Sequence, residues 1–141
     1  LILLAWAEGG WRPALAVGGA VTGAVLSSEL LKAGLPRPGL IDIDLQHLTH
    51  NSFPSGHATI AMAVGLALVL ATPARGRRWT AIAATLFAVV FGLATVLGGW
   101  HRPSDTLAGY LIALAWTCAV TLLLLTGSDS VGGKPAVRPG S

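Results

Sequence analysis

Charge is what this sequence has least of. Asp, Glu, Lys and Arg make up 11% of its 141 residues, where a soluble domain carries about 25%. With 53% hydrophobic residues and a mean hydropathy of +0.70, that scarcity excludes an ordinary soluble domain. The few charges lie almost wholly between long apolar runs, the pattern of a polytopic membrane protein. Cysteine is nearly absent too. Cys118 stands alone in an apolar run, so no internal disulfide can form, and it reads as a small buried hydrophobe. Aromatic residues are only 6% and interleave with no basic stripe, which excludes a nucleic-acid platform despite a net charge of +3. The chain opens Leu1-Ile2-Leu3-Leu4-Ala5-Trp6 without a basic leader, so it does not read as a signal peptide. It reads as the last turns of a transmembrane helix, and the chain is expected to be a fragment lacking the first helices.

What is present is a succession of apolar runs. After the Glu8-Gly9-Gly10 break, residues 13–33 are apolar and rich in small residues, among them Gly18, Gly19 and Gly23. Small residues let membrane helices pack closely, so an interior helix is expected. A segment rich in Pro and Gly, 34–39, ends it, and 40–54 form a polar loop with Asp42, Asp44, His47 and His50. Further spans are expected over 55–72, 79–97 and 103–126, with a short basic turn over 73–78. Each is near the roughly 20 residues that cross a bilayer core. The expected fold is all-α: a polytopic transmembrane helical bundle of four full spans plus the end of a preceding one. Residues 1–126 form the membrane-embedded core, and 127–141, rich in Gly, Ser and Pro, a disordered tail.

Arg12, Arg75, Arg77, Arg78, Lys134 and Arg138 fall on one side of this arrangement, Lys32, Arg37 and Arg102 on the other. The side with more basic residues is cytoplasmic by the positive-inside rule. The other then faces the periplasm or cell exterior, and the setting expected is a bacterial plasma membrane.

Two polar strings stand on that outer side. Pro54-Ser55-Gly56-His57 opens a helix: Ser is a favoured N-cap, Gly admits a close backbone approach, and helix-start N–H groups attract anions. Alone, the string suits a plain capped helix with an interfacial histidine equally well. His101 and Asp105 are spaced to meet on one face of the last helix, and Pro103 suits its first position. A carboxylate on one imidazole nitrogen makes the other more basic, as a nucleophile or general base requires. The plainer reading is a first-turn acid favouring the helix dipole, with Trp100 beside it as an interfacial anchor. Lys32 and Arg37 at the end of the preceding span suit phosphate, although such residues more often snorkel to headgroups. Together, on one membrane face, these groups read as a functional site.

The combination resembles the type 2 phosphatidic acid phosphatase superfamily, the lipid phosphate phosphatases that share a helical core with vanadium haloperoxidases. That family's motifs run K-x6-R-P, P-S-G-H and S-R-x5-H-x3-D. The second is intact at Pro54 to His57, the third keeps His101 and Asp105, and the first keeps Arg37-Pro38. The resemblance covers residues 13–126, the last four of six family helices. It departs at Leu30, where the lysine would fall, and at Ala94 and Thr95, where the serine and arginine would fall. Lys32 and Arg102 are candidate substitutes.

The resemblance implies metal-independent hydrolysis of a lipid or polyprenyl phosphomonoester or pyrophosphate through a phosphohistidine. His101 would be the nucleophile, Asp105 its orienting carboxylate and His57 the acid for the leaving group. Arg37, Ser55, Gly56, Lys32 and Arg102 would hold the phosphate. No cofactor or metal is implied. The partners implied are a lipid phosphate and the bilayer, not nucleic acid, and the oligomeric state stays open. A rival metal set, His47, His50, His57 and His101, lacks the spacing of a metalloprotease helix. A second rival is a non-catalytic relative that binds a headgroup or assists transport.

Overall fold

The computed structural model describes residues 2–3, 10–35 and 53–129. Four helices account for nearly all of them: α1, Trp11–Gly34; α2, Gly56–Ala71; α3, Ala74–Leu97; and α4, Pro103–Asp129. No strand occurs among the described residues. The protein is an all-helical membrane bundle, with α1, α3 and the Pro103–Thr126 stretch of α4 long and apolar enough to cross a bilayer. The fourth expected span is shorter. α2 has 16 residues, about 24 Å at 1.5 Å per residue, against roughly 30 Å of hydrocarbon. It packs on α1, α3 and α4, whereas among the described residues α1 packs on α2 and α4.

Small residues make this contact possible. Ala58, Ala61, Ala63, Ala67 and Ala71 are the buried apolar positions of α2, and Ala14, Val17, Ala20 and Ala24 those of α1. With side chains this small the backbones approach closely, and membrane helices associate through such contact rather than through a hydrophobic force between them. α1 is therefore buried along one stripe instead of all round. Gly18 faces Ile2 and Gly19 faces open space, but Gly23 lies against the Trp116 indole of α4. A Cβ at Gly23 would come within 2.6 Å of that ring. Trp116 Nε1 also donates to Ser27 Oγ at 2.9 Å, satisfying a polar group that lipid would not.

Two boundaries and one burial differ from expectation. The basic segment Arg75, Arg77 and Arg78 is not a turn but the first turns of α3, which starts at Ala74. Pro73 stops α2 and accepts from the Gly76 and Arg77 amides through its carbonyl, so the chain reverses over Thr72 and Pro73 alone. α4 begins at Pro103 as its fixed φ favours but continues through Asp129, past the apolar stretch that ends at Thr126. Cys118, expected to be buried, is exposed on α4.

Candidate active site

The site forms where the start of α2 meets the start of α4. Ser55 caps α2: its Oγ accepts from the Ala58 amide at 3.3 Å, and its carbonyl accepts from the Thr59 amide at 3.0 Å and Thr59 Oγ1 at 2.8 Å. The Ser55 amide in turn donates to the Asp105 carbonyl at 3.0 Å, tying the two helix starts together. Gly109, one turn further along α4, permits that contact. A Cβ there would lie 2.7 Å from the Ser55 carbonyl oxygen and 2.8 Å from Thr59 Oγ1. By position, the Gly56 and His57 amides are among the N–H groups at the start of α2 that no helical carbonyl satisfies.

Asp105 is fully buried and does two jobs. Its Oδ2 accepts from the Arg102 amide at 3.2 Å and its Oδ1 from Ser104 Oγ at 3.2 Å. An acid at the third position of a helix, reaching back to the cap amide, is half of a capping box. Oδ2 also lies 3.9 Å from His101 Nδ1. That is an electrostatic contact and not a hydrogen bond, which needs about 3 Å. His101 Nδ1 is buried and makes no hydrogen bond, so the pair is aimed and unclosed. With Nδ1 turned to Asp105, Nε2 is the nitrogen left for chemistry.

The segment before His101 fixes its direction. Gly99 takes a left-handed φ of 72°, which glycine adopts at no steric cost. The Thr95 carbonyl then accepts from both the Trp100 and His101 amides, at 3.1 and 3.3 Å. His57 stands across from His101 with ring centroids 6.4 Å apart and planes tilted by 52°. Burial lowers the His101 pKa from its ordinary value; the Asp105 carboxylate opposes the shift, while His57 and Lys32 add to it. The imidazole is therefore neutral near pH 7.

Lys32 reaches this centre from the last turn of α1. A Cβ at Gly56 would lie 2.8 Å from Lys32 Nζ and 3.1 Å from Glu29 Oε1, so both side chains sit over the start of α2. Lys32 Nζ pairs with Glu29 Oε1 at 2.6 Å. Glu29 was not among the expected residues, although an acid in an otherwise apolar helix is a signal in itself. Ser104, Thr59 and Gly109 were also not expected, and nothing in their local sequence marks them out.

Of the expected residues, Ser55, Gly56, His57, His101, Asp105 and Lys32 come together. Arg102 is exposed, and its amide serves Asp105. Arg37, His47 and His50 lie outside the described residues. Thr95 is buried, and its Oγ1 donates to the Gly92 carbonyl at 2.9 Å, so this position supplies no cation.

Comparison with curated proteins and with solved structures returns no significant match. A family model described as the PAP2 superfamily matches residues 13–127, from the first turn of α1 to the end of the apolar stretch of α4. Members of that superfamily are generally phosphatases acting on phosphate esters. The all-helical bundle and this match along most of its length agree: the chain belongs to the PAP2 superfamily, the type 2 phosphatidic acid phosphatases.

Proposed function

We propose that this protein is an integral-membrane phosphatase that hydrolyses a lipid or polyprenyl phosphomonoester, or a pyrophosphate, through a phosphohistidine. The observation that carries the reading is the facing pair His57 and His101, 6.4 Å apart, with buried Asp105 behind Nδ1 of His101. His101 Nε2 attacks phosphorus, forming an N–P bond as the bond to the leaving oxygen breaks, and His57 gives that oxygen its proton. Water then attacks the phosphohistidine, His57 takes a proton from it, and cleavage of the N–P bond returns neutral His101. Asp105 fixes the tautomer and stabilises the positive charge that His101 acquires as it is phosphorylated. Ser55 holds the start of α2 so that its first amides and Lys32 meet the phosphoryl oxygens, with Arg37 as a further ligand. Phosphoryl transfer asks for positioning and charge more than for covalent machinery, and no step here calls for a metal.

The substrate is an amphiphile, because the centre lies among helix starts at one end of a membrane bundle. That end faces the periplasm or cell exterior, since Arg12, Arg75, Arg77 and Arg78 lie at the other. A headgroup-binding relative without turnover is the second reading, favoured by uncharged Thr95. Purified protein supplied with phosphatidate in EDTA decides between them. Release of inorganic phosphate supports the phosphatase; binding without release favours the second reading, and release only after zinc is added returns the metal set.

A further inference from the structure

Glu29 Oε1 lies 2.6 Å from Lys32 Nζ and 3.1 Å from the point where a Gly56 Cβ would stand. A carboxylate oxygen thus occupies the space over the first turn of α2, where unsatisfied amides and a lysine attract an anion. We infer that Glu29 is a specificity-determining residue, a built-in carboxylate that competes with the phosphoryl group for Lys32 and the start of α2. This inference rests on the phosphatase reading above. When the phosphate arrives, Lys32 passes from Glu29 to a phosphoryl oxygen. When inorganic phosphate must leave, the carboxylate takes the lysine back.

The geometry favours competition over simple support. Glu29 and Lys32 are three residues apart on one helix, so backbone spacing alone brings the two side chains together. Glu29 is more exposed than Lys32, at 58% against 26% of the side chain, and can swing to water when displaced. A dianionic phosphate beside an ionised carboxylate is repelled unless that carboxylate moves. The same charge opposes binding of any anion that offers fewer or weaker contacts than a phosphoryl group, which is what makes it a filter.

The test compares wild type, Glu29→Gln, Lys32→Met and the double variant in detergent. The readouts are kcat and KM on a short-chain soluble phosphate ester and Ki for inorganic phosphate and vanadate. Glu29→Gln keeps the shape and removes the charge. KM and both Ki values should fall about three- to fivefold, the scale of a partly exposed ion pair, while kcat does not rise. In the Lys32→Met background the same substitution should change Ki by less than half as much, because the competition runs through that lysine. Unchanged or higher KM and Ki in Glu29→Gln would overturn the inference, and so would an equal gain without Lys32. A wild type that releases no phosphate at all would instead defeat the phosphatase reading.

Discussion

At the scale of single residues, the site is a balance of charges around His101. Burial and the nearby Lys32 and His57 lower its pKa, and Asp105 resists. As pH falls below the ordinary histidine value, the unfolded chain binds a proton that the folded protein does not, so this residue's contribution to stability is lost toward acid. Activity follows the same limb, because only neutral His101 attacks. The acid limb of kcat/KM should lie below pH 6.5, move up in Lys32→Ala and down in whatever activity Asp105→Asn retains; opposite displacements in a pH profile would refute the charge assignment. Lys32 and Arg102 also divide here. Lys32→Ala removes a cation seated over Gly56 and should cost about tenfold in kcat/KM, the lower end for a charge-assisted contact. Exposed Arg102 should cost less than threefold on a short-chain ester. Kinetics of the two single variants checks the order, and a larger loss at Arg102 would make it the phosphate ligand.

At the scale of helices, the short α2 is what brings the two polar strings together. Its start sits against the first turns of α4 because Gly109 leaves space for the Ser55 carbonyl. Gly109→Val should therefore lower stability by about 1–3 kcal/mol through overpacking and reduce turnover by displacing Ser55. Thermal unfolding in detergent measures the first effect, and a Tm unchanged from wild type would show that the contact does not matter. The strings themselves were legible, since Ser55, Gly56, His57, His101 and Asp105 announce a capped helix start and an i,i+4 pair. Gly109 was not, because one glycine among apolar residues carries no sign of what crosses it. Glu29 was legible and missed: its meaning came from Gly56, which is distant in sequence and adjacent in space. The boundaries at Ala74 and Asp129 escaped because charge and small polar residues read as turn or tail, while a helix end follows local hydrogen bonds.

At the scale of the whole molecule, the proposed function puts the site and the Arg75–Arg78 end on opposite membrane faces. In a Cys118→Ala background, Ala74→Cys should be labelled by an impermeant thiol reagent only from the cytoplasmic side, and Leu35→Cys only from outside. The reverse pattern would move the substrate to the inner leaflet. Composition alone made the membrane bundle legible, because so few charges leave no soluble alternative. The packing order was not: among the described residues the shorter α2 packs on three helices and α1 on two. His101 as the nucleophile of a phosphatase is tested by phosphate release from His101→Ala beside wild type, both folded in detergent. A loss of roughly 10^3 or more in kcat is expected; near-normal release by the variant would rule His101 out as the nucleophile.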